Sequence, residues 1–318
     1  MLHLMRYIPA LDGLRALAVL AVVARHSWIE PAVGGYIGVD LFFVLSGFLI
    51  TQVLMQNADL TRFYIRRARR LIPALAFMLV AYLAIFPLIR PDGQHWRDAA
   101  LAFFYLSDFT YSWAKVPNYL GHTWSLSTEE HFYLLWPLVF LRLRPSVRAL
   151  IGIYIALTAW RWLGPPWMEG GYFRMDMHSS GLILGCIIAQ LPRVRFPAWP
   201  GLVVLAVLCV VMPPDTAFTQ GPGILLAELA AAVAIFGTAP KWLETPPLVY
   251  LGKLSYGIYL WHFSLSRLMH EGGYRHATTL AATLAFSVVM AAVSYHLIES
   301  RFRVAHRPAE KLAGADAA

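Results

Sequence analysis

Apolar residues recur in long blocks along the chain, among them 17–23, 71–89, 202–211 and 279–293. With their flanks these blocks approach the ~20 residues that cross a bilayer core. In hydrocarbon every backbone N–H and C=O must be satisfied within the chain, so spans of this kind must be helices. The pattern predicts an all-α, polytopic transmembrane bundle with spans near 11–29, 36–56, 71–89, 124–141, 147–164, 174–191, 201–211, 223–238, 248–269 and 277–298, about ten in all. One stretch resists the scheme. The apolar segment 99–105 is too short to span, and counting it would invert every later helix. Residues 96–123 are therefore read as a re-entrant or interfacial excursion on the outer face, a kind of segment that lines sites. Residues 1–300 are expected to form one membrane domain and 301–318 a short basic cytoplasmic tail. No soluble domain is expected after the last span, and no repeat or low-complexity linker is visible.

Composition supports the same reading. Of 318 residues, 58% are hydrophobic and 14% charged, against roughly 45–50% and about 25% in soluble domains. The start of the chain resembles a signal peptide, with Arg6 ahead of an apolar run, but Asp12, Arg15, Arg25 and His26 interrupt it and no small-residue cleavage site follows. It is retained as the first span. Cys186 and Cys209 lie in separate apolar runs, as small buried hydrophobes do.

The net charge is +8. The basic residues occupy short gaps between apolar runs and build no basic domain, so nucleic acid is not expected as a partner. With the N-terminus inside, the cytoplasmic segments hold Arg6, then Arg62, Arg66, Arg67, Arg69 and Arg70, then Arg142, Arg144 and Arg148. They continue with Arg193 and Arg195, then Lys241, and finally Arg301, Arg303, Arg307 and Lys311. These are most of the 26 Lys and Arg. The opposite gaps keep mainly Arg90, Arg97, Lys115 and Arg275. The positive-inside rule then puts both termini in the cytoplasm.

Several polar residues sit where an apolar helix has no use for them. A charge at the centre of a span costs roughly 2.5–3.5 kcal/mol on insertion scales. Arg15 and His26 are eleven residues apart, three helical turns, so both are placed to face one interior groove about 16 Å apart along the axis. Alternatively, Arg15 snorkels to one interface and His26 caps the helix at the other. Asp40 opens the second span across a short hairpin from His26 and is placed to orient that ring. Ser46 and Gly47 suit either a polar site or close helix packing. Five arginines within 62–70 suit anionic lipid or a phosphate-rich ligand such as a nucleotide or coenzyme A. The segment Trp124, Ser125, Leu126, Ser127, Thr128, Glu129, Glu130 starts the fourth span like a capped helix, yet its two carboxylates still require partners. Ser255, Tyr256, Tyr259 and His262, three or four residues apart, share a helix face.

These residues, taken in order, resemble the membrane-bound acyltransferase 3 family, whose members include O-antigen and exopolysaccharide O-acetyltransferases. The resemblance runs nearly the whole chain. It rests on the stretch 11–15 with His26, on 38–48, on 66–73 with its four arginines and Pro73, and on His122, Thr123, Trp124, Ser125, Leu126 and Glu129 through Tyr133. It continues with Arg174 and Asp176, and with 255–262. One departure is Glu299-Ser300-Arg301, where members often show Glu-x-Pro.

The resemblance implies an acyl-CoA-dependent O-acyltransferase of the inner (plasma) membrane. It would move an acyl group, usually acetyl, from cytoplasmic acetyl-CoA to a hydroxyl of an envelope carbohydrate, with no metal. The expected catalytic residues are His26 as general base or transient acyl acceptor, Arg15 as the cation, and Asp40 or Glu129 as orienting carboxylates. Arg66, Arg67 and Arg70 are expected to hold the donor phosphates, and Trp124, Ser125, Tyr256, Tyr259 and His262 to bind substrate. The fused extracytoplasmic hydrolase-like domain of some members is not seen in the sequence, so transfer is expected to finish either within the membrane domain or with a separate extracytoplasmic partner; the other expected partners are the donor, the carbohydrate acceptor and the lipid bilayer. The rival readings are a non-carbohydrate acceptor, a transporter, against which the lack of an internal repeat counts, and a scaffold, which leaves the intramembrane charges unexplained.

Overall fold

A computed structural model describes residues 7–164, 171–192, 194–214 and 216–303. Arg6, Arg193, Arg307, Lys311 and all of the expected tail beyond 303 lie outside the described residues. Among the described residues the fold is all-α. There is no strand, only an isolated bridge between Pro197 and Thr238.

Helix α1 (Pro9–His26) starts with a proline in its first turn and ends on Arg25 and His26, and the Arg25 charge complements the carbonyl end of the helix. Two short 3₁₀ turns lead into α2 (Gly38–Gln56). Next comes α3 (Leu60–Ile89), whose N-cap Asp59 accepts a hydrogen bond from the Arg62 N–H at 2.9 Å. The apolar pattern predicted a span from 71, but the helix begins eleven residues earlier. Arginine is a good helix former, so the basic stretch is the first three turns of α3 and not a loop.

The expected excursion 96–123 folds as two short helices, α4 (His95–Phe103) against α3 and α5 (Ser107–Ala114) against the following helix, α6 (Thr123–Leu143). Its backbone is satisfied partly by side chains. The Ser107 N–H donates to Ser127 Oγ, and the Asn118 N–H to Asp98 Oδ2. Trp96, Phe104, Phe109 and Trp113 remain exposed along it, as aromatic groups at a membrane surface do.

After α7 (Val147–Leu163), the segment expected at 174–191 is broken at Ser179 into α8 (Met175–His178) and α9 (Ser180–Gln190). Then follow α10 (Trp199–Val211), α11 (Ile224–Phe236), α12 (Pro246–Glu271), α13 (His276–Val293) and α14 (Ser300–Arg303). Four stretches, Glu30–Gln56, Leu60–Ile89, Thr219–Phe236 and His276–Phe302, are long and apolar enough to cross a membrane, and Ser180–Gln190 and Trp199–Val211 are shorter apolar helices. The remaining helices are too short or too polar to meet that measure.

The bundle is apolar outside and partly polar inside. Val80, Leu88, Leu135, Val207 and Val289 are exposed, while Asp40, Arg161, His178 and Glu228 are buried. This is the inverse of a water-soluble protein and marks a membrane protein. Helix α2 packs on α9, and α12 packs on both α1 and α13. The α2–α9 approach depends on Gly47 and Gly185, since a Cβ at either would collide with the facing helix backbone. Small residues let helix backbones meet where lipid supplies no hydrophobic drive to association.

A polar network that the sequence pattern did not single out ties α7, α9 and α11. Arg161 donates to Ser180 Oγ at 2.6 Å and to Glu228 at 3.3 Å, and Tyr154 donates to Glu228 at 2.9 Å. Removing one partner of a buried ion pair strands the other charge, whereas replacing both removes the desolvation cost as well. Arg161→Met alone is therefore expected to destabilise the protein by roughly 3–5 kcal/mol, and the double variant Arg161→Met with Glu228→Leu to recover most of that. Thermal unfolding of detergent-solubilised protein checks both.

Candidate active site

Two cavities lie toward opposite ends of α1. The first, of about 410 Å³, is lined by His26, His122, Trp124, Tyr172, Arg25 and Trp28 among others. The second, of about 380 Å³, is lined by Arg15, Arg66, Arg67, Arg70, Ser46 and Glu129 among others. Val39 and Tyr259 belong to both linings. The expected single groove holding Arg15 and His26 is thus divided. Both residues face the bundle interior, but in separate chambers on either side of Tyr259.

The histidine cavity is built on α1, α12 and the start of α6. His26 Nδ1 lies 2.8 Å from His262 Nε2, and His262 Nδ1 lies 2.6 Å from the Tyr259 carbonyl oxygen. A carbonyl oxygen only accepts, so His262 carries its proton on Nδ1, His262 Nε2 accepts, and His26 Nδ1 donates. Among the described residues His26 Nε2 is left as a lone pair with no protein partner. Phe263 closes edge-on against the His26 ring, with centroids 4.9 Å apart. His122 sits across from this pair, 5.3 Å from the His262 ring centre. Its residue is 2% exposed, and among the described residues neither ring nitrogen has a protein partner.

The basic cavity is built on α2, α3, α6 and α12, with Arg15 from α1. Arg66, Arg67 and Arg70 line the cavity together because Arg70 lies four residues from Arg66 and three from Arg67, spacings that share a helix face. The Arg67 guanidinium stacks 3.1 Å from the Tyr133 ring centre and lies 3.6 Å from Glu130. Tyr133 donates to Ser46 Oγ, which donates to Glu129 at 2.9 Å. Arg15 is held by Asp12 at 2.6 Å, and Asp12 also accepts from Tyr7. The wall between the cavities is the Tyr259 side chain, whose hydroxyl lies 2.6 Å from Ser125 Oγ and 3.1 Å from the His122 carbonyl oxygen.

Two expected contacts are corrected. Asp40 does not touch His26; it lies 2.7 Å from His178 Nε2, with His178 Nδ1 2.7 Å from the Tyr172 carbonyl oxygen. The hairpin at 30–37 turns α2 so that the first-turn carboxylate faces α8 and α9 instead of the end of α1. Glu129 faces Ser46 in the basic cavity and does not orient His26 either, because it lies one helical turn beyond Ser125, on the far side of the Tyr259 wall. The residue that orients His26 is His262, which the sequence offered as a substrate contact. Trp124 lines the histidine cavity, Ser125 and Tyr256 line the basic one, and Tyr259 lines both. Ser46 and Gly47 divide the two roles offered for them, Ser46 in the polar site and Gly47 in helix packing.

The sequence matches the family model described as an acyltransferase domain over residues 8–299. The chain belongs to this membrane acyltransferase family. It is 32% identical to the putative peptidoglycan O-acetyltransferase YrhL of Bacillus subtilis, with 94% of this chain and 55% of that protein aligned. It is likewise 32% identical to the peptidoglycan O-acetyltransferase OatA of Listeria monocytogenes, over 94% and 56%. With the O-acetyltransferase OatA of Staphylococcus aureus it shares 31% identity over 94% and 57%. The chain spans about half the length of these curated relatives. No solved structure matches it.

His122, Arg25 and Trp28 were not among the residues expected to form the acyltransferase site. His122 was visible as part of its motif, but only the fold shows its ring to be unpartnered. At the mouth of the histidine cavity, Glu271 accepts from Tyr119 at 2.6 Å, Arg267 at 3.1 Å and Arg90 at 3.3 Å. Burial works to raise the Glu271 pKa, but these hydrogen bonds outweigh it and hold the carboxyl below its ordinary 4.5. A depressed folded-state pKa contributes stability that is fully present above the unfolded value and is lost as pH falls through the folded one. Wild type is therefore expected to lose thermal stability on acidification below about 4.5 more steeply than Glu271→Gln, and the two to converge at lower pH. Melting curves from pH 6 to 3 test this.

Proposed function

We propose that this protein is an O-acyltransferase that moves an acetyl group from cytoplasmic acetyl-CoA to a hydroxyl of an envelope carbohydrate. The observation that carries the reading is the pair of back-to-back cavities, one walled by arginines and the other lined by a histidine whose Nε2 lone pair has no partner among the described residues. The names of the relatives support transfer of acetyl to a glycan, peptidoglycan among them.

On this reading the basic cavity takes the donor. Arg66, Arg67 and Arg70 hold its phosphates, since guanidinium groups give strong charge-assisted bonds to phosphate oxygens. Arg15, fixed by Asp12, adds a cation deeper in the same chamber, about 16 Å along α1 from His26. That separation suits Arg15 to the pantetheine-linked part of the donor and not to the reacting carbonyl. The thioester end reaches the Tyr259 wall. In the histidine cavity the acceptor hydroxyl gives its proton to His26 Nε2 and its oxygen attacks the thioester carbonyl. The C–S bond then breaks, and His26 returns the proton to the departing thiolate. His262 holds the productive tautomer of His26 throughout. His122, with no protein partner, supplies a hydrogen bond to the substrate inside the same chamber.

The arrangement of charge supports the orientation. The basic cavity shares its end of the bundle with Arg62 and Arg69, so the positive-inside rule puts that end, and both termini, in the cytoplasm of the inner membrane. The histidine cavity then opens to the outer face, and about ten helices form the spans.

Transfer of radiolabelled acetyl from acetyl-CoA in inside-out membrane vesicles tests the proposal. His26→Ala at matched expression is expected to lose about 10²–10⁴-fold in rate, the range for removing a general base. Arg67→Ala is expected to raise KM for acetyl-CoA roughly tenfold or more, as loss of a charge-assisted phosphate contact does. Equal transfer by all three proteins would overturn the assignment.

A further inference from the structure

The histidine cavity contains a cation that the transfer chemistry does not use. Arg25 ends α1 beside His26, is half-buried and lines the cavity. Among the described residues its side chain makes no hydrogen bond and no ion pair. The other cation in the lining, Arg267, is engaged by Glu271 and by the Asn118 carbonyl oxygen at 3.3 Å. Glu271 in turn is fully occupied by Tyr119, Arg267 and Arg90. Among the described residues the cavity's one carboxylate is thus engaged, and Arg25 lines the cavity with no anionic side chain beside it.

Its direction is set by the fold. Gly35 lies so close to α1 that a Cβ there would collide with the Ala21 carbonyl oxygen and crowd the Arg25 Cβ. The turn at 35–37 therefore rests on the stem of Arg25 and keeps its head on the cavity side. Around it stand aromatic rings. Trp28 stacks on His270 with centroids 3.6 Å apart, and Tyr36 meets Tyr172 edge-on at 5.7 Å. Flat apolar faces of this kind suit the C–H faces of sugar rings, and the unpartnered His122 offers a further polar contact. A half-buried guanidinium without an anion is costly to maintain unless a ligand supplies one.

From this we infer that the acceptor is an anionic carbohydrate, bearing a carboxylate or phosphate that Arg25 binds while its hydroxyl meets His26. The inference rests on the histidine cavity being the acceptor chamber, and it narrows the substrate class for that site. Arg25 is its specificity-determining residue.

The test is equilibrium binding to full-length protein in an uncharged maltoside detergent. Two probes are compared, a neutral N-acetylhexosamine tetrasaccharide and the same chain with one C6 oxidised to a carboxylate. Wild type is expected to bind the carboxylate probe at least about tenfold more tightly, the low end for a hydrogen bond to a charged group, with the preference shrinking as salt rises. Arg25→Gln is expected to bind the two probes equally. Arg97→Gln, an exposed arginine paired with Asp98 outside the cavity lining, is expected to keep the preference. Retained coenzyme A binding shows that the Arg25 variant is folded.

The inference falls if wild type binds both probes alike, if Arg25→Gln keeps the preference, or if a short-chain phosphatidate competes as strongly as the carboxylate probe. The last result would assign Arg25 to lipid headgroups. Acetyl transfer is scored separately. A carboxylate preference without transfer to either probe would sink the acyltransferase reading and leave the anion site standing. Equal transfer to both probes would do the reverse.

Discussion

A chain whose outer surface meets hydrocarbon cannot leave polar side chains on that surface at depth, so every such group must find a partner inside. This constraint organises the whole molecule. Arg161, Glu228, Ser180 and Tyr154 hydrogen-bond one another between α7, α9 and α11. Asp40 and His178 do so between α2 and α8. Among the described residues His26 Nε2, the two ring nitrogens of His122 and the Arg25 head have no protein partner, and all three residues line the histidine cavity.

The same constraint explains why the site is assembled from helix ends and middles that are far apart in sequence. His26 lies in the last turn of α1, His122 at the start of α6, and His262 two-thirds of the way along α12. Only the packing of α1 on α12 brings the first and third together. His262 is positioned by its own helix, since its Nδ1 bonds the carbonyl three residues earlier. A rigid helix thus fixes one imidazole, and that imidazole fixes the next.

Much of the fold was legible in the sequence, because blocks of apolar residues predict helices in lipid directly. The three- and four-residue spacing of Ser255, Tyr256, Tyr259 and His262 correctly put them on one face, and the cluster at Arg66, Arg67 and Arg70 correctly shared a cavity. The errors have a common physical origin. Asp40 and His178 are 138 residues apart, and no spacing rule reports a contact of that kind. Proximity along the chain suggested His26 instead. The start of α3 at Leu60 was missed because the apolar pattern marks where lipid begins, whereas the helix begins where Asp59 caps it. The division of the groove at Tyr259 was invisible because a helix face gives direction but not what stands opposite.

The Tyr259 wall has a consequence for the bilayer as an insulator. Elsewhere about 30 Å of hydrocarbon separates the two aqueous phases. Between the two cavities the barrier narrows to Val39, Tyr259 and the hydroxyl of Ser125. A voltage falls mainly across the thinnest layer of low dielectric, so water in both chambers would focus the membrane field onto this one pair of hydroxyls. On the proposed orientation, with the cavities open to opposite faces, the hydrogen bond between Tyr259 and Ser125 would also be an electrical seal, closing at a single point the conduit that two wet chambers make for protons.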